Sequence, residues 1–261
     1  MTAVGAIGFF DSGVGGLSVL RHAVNAVQGL PLLYVADSAF APYGRRDPEQ
    51  VIERSRSICR FLIEQGATAI VVACNTATAI AIETLRNEFA VPIIGVEPAV
   101  KPAAALSRTG KVAVLATQGT LRSARYAQLL SIHGREITVF PRACRHWVEA
   151  VEEADIDSPR VHDLVNAELS PLHASGVDVY VLGCTHFPFL TGAIRHVVGD
   201  AVNIIEPGAA VIGQLRRRLG LDHTPTTASE VTLYTSADTT HLHALAQNLI
   251  ALDAPCHALG F

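Results

Sequence analysis

Two halves of this chain carry the same order of landmarks at nearly the same spacing. In the first half, one apolar run precedes Asp11 and another precedes Cys74, 63 positions later. In the second half, the matching runs precede Thr117 and Cys184, which are 67 positions apart. Each half then closes on a Glu-Pro pair, 23 positions after the first of these cysteines and 22 after the second. This repeat predicts two similar domains related by a pseudo-twofold axis.

Strand-like and helix-like segments alternate in both halves, a pattern that indicates βαβ units and parallel sheets. The predicted strands cover 6–10, 69–73, 92–96, 112–116 and 177–183, and the predicted helices cover 17–27, 47–65 and 76–88. Asp47 before Pro48 predicts a helix start, because an Asp side chain can cap free amides and Pro suits the first helical position. Gly66 predicts the end of that helix.

The tail from about residue 209 has no counterpart in the repeat. It carries a predicted helix through 219 and a predicted strand near 231–234, and we expect it to return to the first domain. The predicted fold class is α/β, with two pseudo-symmetric parallel-sheet domains and the active site in the cleft between them. The first domain would comprise residues 1–97 plus 209–261, and the second residues 98–208.

The composition favours a small-molecule enzyme over a nucleic-acid or membrane protein. With 261 residues, 49% of them hydrophobic, the chain can bury sizeable cores, and a net charge of −4 gives no basic stripe for nucleic acid. No apolar stretch reaches the ~18 residues of a membrane span. The first ten residues lack a charged leader, so we expect no membrane association and a cytoplasmic location. The five cysteines are odd in number and lack CxxC spacing, which predicts free thiols and no metal site.

Cys74 and Cys184 each follow an apolar strand, and ligands of open α/β sheets bind at that edge. A lone cysteine there is usually a small buried residue, but two in equivalent halves favour a function. Two thiols facing one substrate could remove a proton from one face of a carbon and return it to the other, which is racemase chemistry. Cys59 lies inside a predicted helix, and Cys144 and Cys256 have no equivalents, so we expect no catalytic role for these three.

Polar residues accompany both thiols. His186, two positions after Cys184, could lower the thiol pKa from about 8.5 or relay a proton, and Asp11 is the corresponding group of the other half. Further donors to a substrate carboxylate or ammonium are Ser12, Asn75, Thr76, Thr185 and the 117–120 turn. The glycine-rich turn at 13–16 lacks the dinucleotide spacing and suits a carboxylate instead.

A pyridoxal phosphate racemase is disfavoured because that cofactor needs a Schiff-base lysine. The chain has two lysines, Lys101 and Lys111, and neither lies in a phosphate-binding context. We therefore expect no cofactor.

Six ordered segments resemble those of bacterial glutamate racemases, and the match spans about residues 7–212. They are GFFDSGVGGLSVL at 8–20, APYG at 41–44, ACNTAT at 73–78, GVEPA at 95–99, LATQGT at 115–120 and LGCTHFP at 182–188. The resemblance implies a cofactor-independent two-base isomerase that interconverts L- and D-glutamate for peptidoglycan synthesis. Homodimers are common in that family, so a homodimer is expected.

The same resemblance implies roles for individual residues. Cys74 would be the base for the D-enantiomer, assisted by Asp11, and Cys184 the base for the L-enantiomer, assisted by His186. Glu152 keeps the position of a family carboxylate, although relatives often read Cys-Pro-Leu-Phe where this chain has CRHW at 144–147. The implied substrate pocket comprises Asp11, Ser12, Pro42, Tyr43, Gly44, Cys74, Asn75, Thr76, Thr117, Thr120, Cys184, Thr185 and His186.

Three alternatives remain open from the sequence. An aspartate racemase or related isomerase would need the same paired cysteines. A cysteine-nucleophile amidohydrolase could use Cys184 with His186 as its base, which would leave Cys74 without a role. A nucleotide-binding module would rest on the glycine turn alone.

Overall fold

The computed structural model describes residues 5–27, 29–221 and 228–261. The strands are β1 (Ala6–Asp11), β2 (Leu32–Ala36), β3 (Ala67–Val72), β4 (Ile93–Gly95), β5 (Lys111–Ala116), β6 (Thr138–Ala143), β7 (Val179–Gly183), β8 (Asn203–Ile205), β9 (Val231–Thr235) and β10 (Cys256–Ala258). The helices are α1 (Leu17–Ala26), α2 (Pro48–Glu64), α3 (Asn75–Glu88), α4 (Val100–Leu106), α5 (Gln118–Arg122), α6 (Ala124–His133), α7 (Trp147–Glu152), α8 (Pro159–Ala174), α9 (Thr191–Val198), α10 (Gly208–Leu219) and α11 (Thr239–Ile250). Short 3₁₀ helices cover Ser38–Phe40, Tyr43–Arg45 and Phe187–Leu190.

The chain divides into two compact units, Met1–Val96 with Gly208–Phe261, and Glu97–Pro207. Each contains one parallel sheet, so the predicted α/β class with parallel sheets is confirmed. None of the described helices is both long and apolar enough to cross a membrane.

The sheet of the first unit has the order β10-β9-β2-β1-β3-β4, and its neighbouring strands are parallel. Its central strands β1 and β3 are apolar and almost wholly buried, as expected of strands covered by helices on both faces. The tail contributes β9, which pairs with β2 over Val231–Thr235. The apolar core of this unit joins side chains of the sheet, such as Ile70, to side chains of α2, such as Leu62.

The sheet of the second unit has the order β6-β5-β7-β8, again with parallel neighbours. This order matches β2-β1-β3-β4 of the first unit strand for strand. Asp11 ends β1 and Thr117 follows β5, while Cys74 and Cys184 follow β3 and β7. The internal repeat seen in the sequence is therefore a repeat of sheet topology.

Helix α2 begins and ends where the sequence predicts. Pro48 is its first residue, and Gly66, just beyond its end, has the left-handed φ of +91° that glycine adopts without strain. Asp47 is the N-cap residue, but its side chain makes no capping hydrogen bond to the described amides of this helix. The predicted side-chain cap is thus wrong. Because Asp47 is exposed, water can satisfy its carboxylate.

Asp178 ties the start of β7 to the turn before β5. Its carboxylate accepts a hydrogen bond from Ser107 Oγ at 2.6 Å and from the backbone amides of Arg108 and Thr109 at 2.7 and 3.1 Å. Burial opposes the ionised form, but these donors outweigh burial and hold the pKa of Asp178 below its ordinary value. The carboxylate therefore stabilises the fold mainly in its charged form.

We expect Asp178→Ala to lower the free energy of unfolding by about 1–3 kcal/mol at pH 7, because two backbone amides lose their acceptor. The lowered pKa means that this stabilisation is complete above the unfolded pKa of about 4 and is lost as pH falls through the folded value. Urea unfolding followed by circular dichroism should therefore give a difference between wild type and variant that shrinks in acid. The exposed Asp163, changed to Ala, is the control; a difference for Asp178→Ala that stays constant down to pH 2 would contradict the assignment.

Candidate active site

Cys74 occupies the junction between β3 and α3 and is the N-cap residue of α3. The Sγ atom accepts a hydrogen bond from the Ala77 amide at 3.4 Å, and it lies 3.7 Å from Ser12 Oγ. The side chain is buried, with 5% of its surface exposed. A helix N-terminus favours negative charge, so this position suits a thiolate.

Asp11 lies beside this thiol at the end of the neighbouring strand β1 and is fully buried. Its Oδ1 accepts hydrogen bonds from the Gly13 amide at 2.9 Å and from Ser12 Oγ at 3.3 Å. Ser12 therefore lies between the carboxylate and Cys74. The Gly13 amide, which the sequence suggested for a substrate carboxylate, is taken by the protein's own carboxylate.

The turn after Asp11 requires glycine at its last position. A Cβ on Gly16 would come within 2.7 Å of Asp11 Cβ and 2.9 Å of Tyr34 Oη. That tyrosine hydroxyl donates to the Gly13 carbonyl at 2.7 Å and fixes the turn. Gly16 thus allows close packing against Asp11 and Tyr34.

Asn75 is the first residue of α3 and is buried next to Cys74. Neither its side-chain oxygen nor its side-chain nitrogen has a hydrogen-bond partner among the described residues. Leaving a buried amide unpaired is costly, so such groups usually meet a ligand or water. This side chain is therefore available to a polar ligand beside the thiol.

Tyr43 and Gly44 belong to a short 3₁₀ helix that begins after Pro42. The Tyr43 hydroxyl is directed into the unit, where it donates to Asp37 Oδ2 at 2.6 Å. A ligand contact from this segment would therefore come from its backbone and Gly44. Asp37 is not among the site residues predicted from the sequence, although it directly follows an apolar run, as Asp11 does.

Cys184 follows β7 in the second unit and is paired with an imidazole. Its Sγ lies 3.7 Å from His186 Nδ1, and His186 Nε2 lies 2.6 Å from Glu152 Oε1. Burial opposes protonation of the ring, but the contacts with Cys184 and Glu152 outweigh burial and raise the pKa of His186 well above its ordinary value. Glu152, His186 and Cys184 thus form a continuous chain of polar contacts.

Helix α7 brings Glu152 to this chain through aromatic packing. Trp147, the first residue of α7, packs edge-to-face against Phe187, with the ring centroids 4.9 Å apart and both side chains fully buried. His146 precedes the helix with a left-handed φ of 65°. The CRHW segment at 144–147 therefore leads into the helix that carries Glu152.

Two threonines follow β5, the strand that pairs with β7. Thr117 caps α5 by accepting from the Thr120 amide at 3.3 Å, and the two hydroxyl oxygens are 3.1 Å apart. Register pairs Ala116 with Gly183, so these threonines share a sheet edge with Cys184 and Thr185. Thr76, beside Asn75 in the first unit, is buried as Thr185 is.

The other three cysteines lie in settings that disfavour a thiolate. Burial raises the pKa of Cys59 to about 12, with a smaller effect of Glu88. Burial also raises the pKa of Cys144 well above its ordinary value, and that of Cys256 more modestly. All five cysteines are free. In the described part of the chain, no three His, Cys, Asp or Glu side chains are arranged to hold a metal ion.

Each of two matched α/β units thus holds a buried thiol with its own polar partners at a strand end, which suits acid/base proton transfer. The family model of Asp/Glu/hydantoin racemases matches residues 7–215, which is most of the chain. The chain belongs to this family.

Individual proteins similar to this chain are glutamate racemases. A glutamate racemase of Methylococcus capsulatus is 52% identical over 83% of this chain and 80% of its own length. The crystal structure of a Bacillus anthracis glutamate racemase isoform superposes with a TM-score of 0.89 at 28% identity, covering 98% of both chains. An Escherichia coli glutamate racemase, crystallised with L-glutamate and the activator UDP-MurNAc-Ala, gives 0.85 at 28% identity and also covers 98% of both chains.

Likeness to aspartate racemases is confined to the fold. The Picrophilus torridus aspartate racemase has a TM-score of 0.55 at 16% identity, covering 83% of this chain and 94% of its own. The comparisons therefore give the alternative of an aspartate racemase only distant support.

We expect Glu152→Gln to lower the pKa of His186, because the imidazolium loses its carboxylate partner. Titration of ¹³C-labelled histidine by NMR measures this value, with His186→Asn used to assign the resonance. Glu153→Gln is the matched control, since that neighbouring carboxylate pairs with Arg160 instead. An unchanged midpoint for His186 in Glu152→Gln would show that the contact does not hold the proton.

Proposed function

We propose that this chain is a cofactor-independent glutamate racemase that interconverts L- and D-glutamate and supplies D-glutamate for peptidoglycan synthesis. The observation that carries the proposal is the matched pair of buried thiols, Cys74 after β3 and Cys184 after β7, each with its own polar partners. The names of its similar relatives support glutamate as substrate. The L-glutamate in the Escherichia coli structure supports a small-molecule site in this family.

Racemisation would proceed by proton transfer at the α carbon. In the L-to-D direction the Cys184 thiolate takes the α proton as base, and the Cys74 thiol gives its proton to the opposite face as acid. In the D-to-L direction the two exchange roles. After an L-to-D turnover, Cys184 carries a proton and Cys74 is a thiolate. The enzyme must therefore return to its starting protonation state before it converts another L-glutamate.

Different physical interactions would support the two thiolates. The Ala77 amide and the N-terminus of α3 favour charge on Cys74, with Ser12 between its sulfur and Asp11. A charged His186, held by Glu152, favours charge on Cys184. These assisting roles of Asp11, His186 and Glu152 are part of the proposal.

Fixed dipoles around the substrate would stabilise the carbanion without a cofactor. The unpaired amide of Asn75 is the donor and acceptor that the geometry supports best. The other groups proposed to line the pocket are Asp11, Ser12, Pro42, Tyr43, Gly44, Thr76, Thr117, Thr120, Thr185 and His186. The homodimer and the cytoplasmic location also stay predictions, and analytical ultracentrifugation of the purified protein tests the first.

We expect native, reduced protein in deuterated buffer with L-glutamate and no cofactor to lose ellipticity and to form D-glutamate that carries α-deuterium. Cys74→Ser and Cys184→Ser should each reduce racemisation by at least about 10²-fold, because an alcohol replaces the thiol acid/base. The loss must be equal in both directions as kcat/KM, since the two enantiomers are equally stable. Circular dichroism and mass spectrometry follow the two signals.

The single-thiol variants also report which sulfur meets which enantiomer. Cys74→Ser should retain slow deuterium exchange into L-glutamate without inversion, and Cys184→Ser into D-glutamate. Cys256→Ser is the matched control and should racemise like wild type. Native protein that leaves glutamate unchanged and undeuterated would refute the proposal, and aspartate followed by amide substrates would be tested next.

A further inference from the structure

Asp37 is a fully buried carboxylate that the racemisation mechanism does not use. It follows β2 and accepts three hydrogen bonds: from Arg54 Nε at 2.9 Å, from an Arg54 terminal nitrogen at 2.7 Å and from Tyr43 Oη at 2.6 Å. The guanidinium binds both carboxylate oxygens, the geometry that makes charge-assisted pairs strongest. These hydrogen bonds connect the end of β2, helix α2 and the short 3₁₀ helix Tyr43–Arg45 (the Tyr43 segment).

Two aromatic rings lie against the Arg54 guanidinium. The carbon at its centre lies 4.1 Å from the ring centroid of Phe40 and 5.3 Å from that of Phe261. The side chain is 17% exposed, so most of its charge is desolvated. Truncating one member of such a pair leaves the other charge buried without compensation.

A second ion pair on the same helix offers a contrast. Arg56 binds Glu88 through several hydrogen bonds, but both side chains are about one-third exposed. Exposed pairs of this kind contribute little to stability. Arg56 is thus a matched control for Arg54, with the same residue type on the same helix.

The Tyr43 segment packs against α3, the helix that begins directly after Cys74. Tyr43 belongs to the same apolar cluster as Cys74 and Ala77, and 1% of its surface is exposed. Burial, with a further effect of Asp37, raises the pKa of the Tyr43 hydroxyl, so that hydroxyl remains a donor. Gly44 directly follows Tyr43 in the same 3₁₀ helix, and the Asp37 carboxylate binds the Tyr43 side chain.

We propose that Asp37 and Arg54 are positioning residues for substrate binding: their buried ion pair holds Tyr43, and through it the backbone of Gly44, against the first turn of α3. This inference rests on the proposed function, which assigns Tyr43 and Gly44 to the glutamate pocket. The described hydrogen bonds of the Asp37 carboxylate are with Arg54 and Tyr43. The ion pair acts on substrate affinity more than on the chemical step.

Steady-state racemisation of L- and D-glutamate by Arg54→Gln, Arg54→Lys and Arg56→Gln tests the proposal. Arg54→Gln should raise KM by about tenfold, the factor that corresponds to about 1.4 kcal/mol, with a smaller change in kcat. Arg54→Lys keeps the positive charge but cannot bind both carboxylate oxygens in the bidentate geometry. Its affinity for glutamate should therefore lie between those of Arg54→Gln and wild type. Arg56→Gln should leave both constants unchanged.

A more conservative substitution still tests the proposal if Arg54→Gln does not fold. Tyr43→Phe removes one hydroxyl and leaves the ion pair intact, so it should fold, as judged by circular dichroism, and should raise KM with kcat largely kept. The positioning role is wrong if wild type racemises glutamate while Tyr43→Phe, or a folded Arg54→Gln, keeps the wild-type KM. Wild type that does not racemise glutamate refutes the proposed function itself, which is a separate result.

Discussion

Burying a thiol makes its ionisation depend on the few groups that contact it, because bulk water no longer stabilises the charge. Both Cys74 and Cys184 are about 95% covered. Each follows an inner parallel strand: Cys74 is the N-cap residue of α3, and Cys184 precedes the short 3₁₀ helix Phe187–Leu190. The rest of each unit brings a compensating group to that one position.

The two units meet this requirement in different ways. In the first, the compensation comes mainly from backbone: the N-terminus of α3 and the Ala77 amide, with Ser12 and Asp11 beyond them. In the second, it comes from a side chain, His186: burial opposes protonation of its ring, but its contacts with Cys184 and Glu152 outweigh burial and raise its pKa. The duplicated topology thus surrounds its two thiols with unlike groups.

Buried polar contacts outside the thiols follow the same rule. Asp37 is accompanied by Arg54 and Tyr43, and Asp178 by a hydroxyl and two amides, so each buried carboxylate is fully compensated. Asn75 differs, because its side-chain amide has no partner in the described structure. Trp147 Nε1 and Tyr180 Oη are also buried without a partner, so the support for a ligand at Asn75 comes from its position directly after Cys74.

The sequence by itself determined the α/β class, the family and the places of Cys74 and Cys184, because apolar strand runs and the residues that directly follow them are local features. It also located Glu152 by resemblance, but not its contact. Only the tertiary structure decided that Glu152 reaches His186, 34 positions away, and that Arg54 neutralises Asp37 across 17. The predicted side-chain cap at Asp47 is wrong because this carboxylate is exposed and water can serve as its partner. Solvent exposure is not encoded in the local sequence. Pairing of distant charges depends on how helices pack on a sheet, and that packing is a property of the folded chain as a whole.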